Sequence, residues 1–150
     1  MGVGVVMSTL QLRLATLKDA DVLFRWRNDA VTRQFSLQQD PILPEQHLQW
    51  LTSSIQNPQR RLYIAELEQS QVGTLRVDII EDTSVVSWTV APEARNKGIA
   101  KSMLINLLQN IHGPVKAQIL DSNTASIKVA ESVGMTLINT DGNILNYGKS

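Results

Sequence analysis

The stretch of this chain best equipped to hold an anion is Arg95-Asn96-Lys97-Gly98-Ile99-Ala100, with Lys101 and Ser102 directly behind it. Gly98 admits backbone angles closed to other residues and lets the chain approach a ligand with no side chain in the way. A helix that begins there leaves its first amide hydrogens unpaired and turns the positive end of its dipole toward the loop. Such a terminus attracts phosphate without needing any particular side chain. Arg95, Lys97 and Lys101 add positive charge around the same opening. A second polar group, Asn123, Ser126 and Lys128, follows in a segment whose Asp121-Ser122-Asn123-Thr124 supplies helix caps. A third is aromatic and basic: Trp26, Arg27, Asn28, Arg33, His47 and Trp50.

Apolar periodicity supplies the elements that must position these groups. Residues 10–14 alternate as a strand with one buried face, and Thr16 caps a helix over 17–30. Pro44 opens a helix over 45–55. Runs at 61–67, 72–80 and 85–90 read as three antiparallel strands joined by polar turns. A helix runs from Ile99 to Ile111 and stops at His112-Gly113-Pro114, and a strand at 115–120 follows. A helix over 125–133 ends at Gly134. Strands at 135–139 and 144–147 close the chain through the turn Asp141-Gly142-Asn143.

Composition narrows the chemistry. With 150 residues the chain fits one domain with its own core, 1–150, in which 1–7 read as an extension. Fourteen Lys and Arg balance fourteen Asp and Glu, so no global field favours nucleic acid or an anionic membrane, and an anion site must be local. The absence of cysteine excludes disulfides, thiolate catalysis and cysteine-bound zinc, and it fits a reducing cytoplasm. Two histidines make a histidine metal cluster an unlikely design, so no metal is expected. No export signal or membrane span is visible. Gly148-Lys149-Ser150 has no helix after it and so is no phosphate loop, and neither a Gly-x-Ser-x-Gly elbow nor a His-Glu-x-x-His helix occurs.

Strand, Arg95-Asn96-Lys97-Gly98-Ile99-Ala100, helix matches Arg/Gln-x-x-Gly-x-Gly/Ala and resembles the pyrophosphate-binding motif of the GCN5-related N-acetyltransferases, the GNAT family. DSNTASIKVAESVGM looks like a second segment of that family, Asn123, Ser126, Val129 and Gly134 matching and Met135 standing for the usual Phe. The element order resembles the GNAT arrangement over nearly the whole chain. The resemblance implies an α/β GNAT fold, a central mixed and mostly antiparallel sheet with helices on both faces, and acetyl-coenzyme A as cofactor. It implies that the strand before the loop bulges and splays from the next one. Free amides near Trp88, Thr89 and Val90 would then meet pantetheine and the thioester carbonyl. Those of Thr89 and Val90 would stabilise the oxyanion formed when an amine attacks. Arg95 to Ser102 would hold pyrophosphate, Asn123 and Ser126 the pantetheine arm, and Lys128 a coenzyme phosphate.

The chain departs from the family at two catalytic positions. Ala130 stands where a tyrosine commonly protonates the departing thiolate, and Val85 where a glutamate is often found. Asp78, Glu81 and His47 remain as candidate bases, and Tyr147 as a substitute acid. Trp26-Arg27-Asn28-Asp29, Arg33 and the helix with His47 and Trp50 look like the branch that contains amino-sugar acetyltransferases of the pseudaminic-acid type. That resemblance implies a nucleotide-linked amino sugar as acceptor. Arg27 and Arg33 would bind its diphosphate, because a guanidinium binds phosphate bidentately. Trp26 or Trp50 would stack on a base or sugar face, although tryptophans at helical spacing also suit a core. The expectation is therefore a cytoplasmic N-acetyltransferase, monomer or homodimer, acting on a small-molecule amine. Its alternatives are a protein N-terminal acetyltransferase of the ribosomal-protein type and a non-catalytic acetyl-coenzyme A binding module.

Overall fold

A computed structural model describes residues 9–150, so the expected extension at 1–7 lies outside the described residues. β1, Gln11–Leu14, is followed by a capping box. Thr16 Oγ1 accepts from Lys18 N–H at 3.2 Å, and Asp19 accepts from Thr16 N–H at 2.8 Å. Arg13 of β1 donates to both Asp19 oxygens at 2.9 and 2.8 Å, which holds this buried carboxyl below the usual carboxylate range against the opposing effect of burial.

The single helix expected over 17–30 is three pieces. Leu17–Asp19 is a 3-10 turn, α1 spans Ala20–Asn28 and α2 spans Ala30–Gln34. The break is at Asp29, whose extended ψ of 134° lets its carboxylate accept from Thr32 N–H at 3.0 Å. A short acidic side chain thus prefers to cap a new helix over continuing the old one. α3, Pro44–Gln56, starts at the expected proline.

β2, Arg60–Leu67, β3, Ser70–Ile80, and β4, Thr83–Val90, run longer than the expected segments because the turns between them are only two residues each. Glu68, Gln69, Glu81 and Asp82 all take positive φ, between 50° and 67°. Two consecutive positive φ values match the right-handed twist of the strands they join. α4, Ile99–Leu108, β5, Val115–Leu120, α5, Thr124–Ser132, β6, Thr136–Asp141, and β7, Ile144–Lys149, complete the chain.

The strands form one seven-stranded sheet in the order β1-β2-β3-β4-β5-β7-β6, antiparallel at every pair except β4–β5. This is the mixed, mostly antiparallel sheet expected. Helices cover both faces. On β3, a Cβ at Gly73 would meet Met103 Sδ at 2.8 Å, so α4 lies against the odd-numbered side. Thr74 and Arg76, on the even-numbered side, share a cleft with Trp26 of α1 and His47 of α3. Trp26, Leu51, Ile64, Leu75, Val86, Met103, Leu104 and Met135 are fully buried around this sheet. No helix among the described residues is long and apolar enough to cross a membrane.

Candidate active site

The anion cradle has the geometry its sequence implies. Gly98 sits at φ 73°, ψ 14° as the N-cap of α4 with no side-chain cap, and an added Cβ there would meet nothing within 4 Å. The first intrahelical bond runs from Ser102 N–H to Gly98 O at 3.3 Å. Ahead of it, the amides of Gly98, Ile99, Ala100 and Lys101 find no acceptor among the described residues, and Lys97, Gly98 and Lys101 are exposed. Asn96 also takes a positive φ of 63°. Unpaired amides at the positive end of a ten-residue helix have the polarity that attracts an anion.

Arg95 does not contribute its charge to this cradle. Its Nη2 donates to Asp29 Oδ2 at 2.6 Å and to Thr32 Oγ1 at 3.0 Å, tying the loop to the start of α2. The same guanidinium holds the Asp29 carboxyl below the usual carboxylate range. Arg95 is thus a strut between two loops, and Lys97 and Lys101 are the cations left facing outward.

β4 and β5 share only two registered pairs, Ser84↔Val115 and Val85↔Lys116, and part beyond them. In an antiparallel ladder the N–H and C=O of alternate residues face the same neighbour. Ala91 N–H donates to Val72 O at 2.8 Å on the β3 side, and Ser84 N–H donates to Pro114 O at 3.0 Å on the β5 side. Odd-numbered residues of β4 therefore face β3, and even-numbered ones face the opening. The register corrects the expectation for Thr89, whose amide is directed at Thr74, and leaves Trp88 and Val90 with amides facing the gap. The strands splay as expected, but without a bulge in β4, whose pairing with β3 is continuous from Thr83 to Val90. Across the gap Asn123 caps α5, its Oδ1 accepting from Ser126 N–H at 3.2 Å, while its Nδ2 has no acceptor among the described residues. Asn123 and Ser126 both line the cleft; Lys128 is exposed on α5 outside it.

The cleft has a volume of about 510 Å³ and runs from this gap to α1 and α3. Trp26, Arg27, His47 and Trp50 all line it. His47, 3% exposed, packs edge-on to Phe24 at 5.5 Å between centroids and tilted to Trp50 at 5.6 Å. Burial first, and then the charge of Arg27, push its imidazole below the ordinary value, so it is neutral at pH 7. Arg27 Nη2 donates to the carbonyls of Gln38 and Asp40 at 3.2 and 3.4 Å, and its Nη1 is buried without a partner. Asn28 and Arg33 are not brought to the cleft. Asn28 clamps the backbone of Ile42 in both directions, at 2.8 and 2.9 Å, and Arg33 donates to Asn28 O at 3.2 Å. They shape the connection between α1 and α3.

Three proposed proton carriers are also placed elsewhere. Asp78 is held by Arg60 at 2.6 Å and by Arg76 at 3.2 Å. Glu81 is an exposed turn residue beyond the lining. Tyr147 is 3% exposed and donates its hydroxyl to Glu131 Oε2 at 3.2 Å. Burial, then that carboxylate, raise the phenol above its ordinary value. Thr74, Arg76 and Ser87 line the cleft although the sequence did not single them out. Their shared face follows from the β3–β4 register, Arg76 opposite Ser87 and Thr74 opposite Thr89.

The sequence model described as an acetyltransferase (GNAT) domain matches residues 9–136. The chain belongs to the GNAT acetyltransferase family. Its α/β layers have close counterparts in solved GNAT-like structures. A domain from Methanocaldococcus jannaschii DSM 2661 is 25% identical, with a TM-score of 0.83, covering 95% of this chain and 99% of its own. Spermidine N-acetyltransferase from Vibrio cholerae, solved with CoA and spermine, is 15% identical with a TM-score of 0.83, covering 94% of this chain and 95% of its own. Aminoglycoside acetyltransferase AAC(6')-Ib, solved with coenzyme A, is 15% identical with a TM-score of 0.81, covering 95% of each chain. No curated protein matches. Against the family pattern, this GNAT member has Val85 on the cleft wall and Ala130 fully buried in the core, so neither position holds a proton carrier.

Proposed function

We propose that this protein transfers the acetyl group of acetyl-coenzyme A to the primary amine of a small molecule by direct attack, in the cytoplasm, as a monomer or homodimer of one 1–150 domain. The observation that supports it best is continuity: the gap between β4 and β5 opens into the cleft under α1 and α3, whose lining takes in Trp88, Asn123 and Ser126, and β4 leads directly into the loop that ends at the open amides of α4. The cofactor fits these residues. Gly98, Ile99, Ala100 and Lys101 would take its pyrophosphate, and Lys97 and Ser102 flank them. The Trp88 and Val90 amides and Asn123 Nδ2 would take its pantetheine arm, with Ser126 beside them. When bound, the cofactor supplies an acyl group already activated as a thioester.

The protein's own work is positioning and proton handling. His47, neutral and facing the cleft, accepts the proton of the incoming ammonium directly or through water. The Trp88 and Val90 amides supply fixed donors for developing negative charge. The proton left on the nitrogen after the C–N bond forms passes to the departing thiolate or to water, and a thiolate needs no dedicated acid near neutral pH, since thiols titrate at about 8.5. The acceptor we favour is a nucleotide-linked amino sugar, with Arg27 toward phosphate and Trp50 against a ring face.

Gly98→Asp sets a carboxylate against the phosphate site, and we expect acetyl-coenzyme A affinity by calorimetry to fall at least about tenfold. Unchanged affinity would remove the cradle assignment. An acceptor panel scored by thiol release tests the rest: turnover on peptide amines with none on nucleotide amino sugars would favour protein N-terminal acetylation. The engaged Tyr147 and the missing family side chains favour a second reading, a binding module without turnover. Tight acetyl-coenzyme A binding with no amine acetylated would select it.

A further inference from the structure

We infer that the acceptor cleft selects amines that carry an oxyanion, a phosphate or a carboxylate, held by Trp26 and Arg27, and that it rejects polycationic amines. The inference rests on the reading of this cleft as the acceptor site.

Two buried side-chain donors among the described residues lack a partner, Trp26 Nε1 and Arg27 Nη1, and both belong to residues lining the cleft. Trp26 is only 1% exposed and both donor atoms are covered, so a ligand reaches them by displacing the side chains over them at the cleft wall. Buried donors without acceptors are rare in folded proteins, and a ligand acceptor in the cleft that both residues line would satisfy them. Among the described residues Arg27, like Arg25, Arg33 and Arg61, has no carboxylate within ion-pair distance. Arg13, Arg60, Arg76 and Arg95 each have one.

The rest of the lining points the same way. Among the described residues no Asp or Glu side chain lines the cleft. Arg76 lines it as a second guanidinium, and its partner Asp78 is shared with Arg60. A polycation entering here would meet two positive charges and no carboxylate, a like-charge juxtaposition that excludes ligands. An oxyanion beside the amine would instead supply the acceptor atoms that the indole and guanidinium lack. Trp50 offers a ring face to the body of such a ligand.

The test compares glucosamine, glucosamine 6-phosphate, muramic acid, UDP-glucosamine, spermine and kanamycin as acceptors, with thiol release as readout. We expect kcat/KM for glucosamine 6-phosphate or muramic acid to exceed that for glucosamine by at least about tenfold, with spermine and kanamycin not turned over. The arm that leads identifies phosphate or carboxylate. Arg27→Met brings the ratio toward one and Arg27→Lys retains part of it, whereas damage to the fold would lower all rates and keep the ratio. Trp26→Phe, which keeps the ring and removes the donor, lowers the ratio by a smaller factor. A wild-type ratio near one, or spermine or kanamycin as the better acceptor, overturns the inference. UDP-glucosamine no better than glucosamine 6-phosphate would overturn only the nucleotide preference. If nothing is acetylated, calorimetry in the presence of coenzyme A decides. Binding of glucosamine 6-phosphate or muramic acid that exceeds glucosamine and is lost in Arg27→Met sustains the inference while acetyl transfer falls; equal or absent binding overturns it.

Discussion

Burial, and after it the charge of Arg27, hold the His47 imidazole below its ordinary pKa of 6.5. The folded protein then binds fewer protons than the unfolded chain between the folded value and 6.5, so stability rises with pH across that window. The contribution is complete above pH 6.5 and is lost as pH falls through the folded value. We expect wild-type stability, from urea midpoints, to drop more between about pH 7.5 and about pH 5 than that of His47→Gln. Equal drops would mean that His47 titrates normally. At this scale the sequence revealed the groups whose roles are local. Gly98 and Asn123 announce themselves by their place before a helix, and Trp26, Arg27, His47 and Trp50 by spacing on one. Arg95, Asp78 and Tyr147 were misplaced because their partners, Asp29, Arg60 and Glu131, come together only through the fold.

Among elements, the turn after β2 carries the clearest strain. Glu68 and Gln69 both occupy left-handed backbone angles that cost roughly 1–2 kcal/mol for a residue with a Cβ. Gln69→Gly should therefore raise stability by about 1 kcal/mol and the melting temperature by about 3 °C. An unchanged or lower melting temperature would show that the side chain compensates. Gly73 is the opposite case. An added Cβ would lie 2.7 Å from Thr89 O and 2.8 Å from Met103 Sδ, so Gly73→Ala must shift the β4 backbone at Thr89 as well as the Met103 thioether. We expect a loss of about 1–3 kcal/mol by urea unfolding, together with weaker coenzyme binding because Thr89 lies between Trp88 and Val90, whose amides face the gap. Wild-type values for both would show that Met103 moves aside freely. Runs of strand-forming residues between turn signals had located every strand here, including β6, which is exposed along its whole length. They could not show Gly73 as a contact point, nor the helix break at Asp29, because a cap and a continuing helix use the same residue types.

For the whole molecule, the two-pair contact between β4 and β5 divides the sheet into β1–β4 and β5–β7–β6. The ladders within each part are longer, six registered pairs in β5–β7 and eight in β3–β4. Local opening follows the weakest junction. Hydrogen exchange should therefore show β6 and β7 opening as one cooperative unit at lower free energy than β2 and β3; a single uniform opening energy would contradict this. The gap that admits a ligand is thus also the line along which the protein comes apart. A coenzyme gripping Trp88 and Val90 on one bank and Asn123 on the other would act as a keystone. At about a hundred times its dissociation constant it would add about 2.7 kcal/mol to stability. Its presence would be recorded as slowed exchange along β7, which supplies none of its contacts, and the cellular lifetime of the protein would follow the supply of its cofactor.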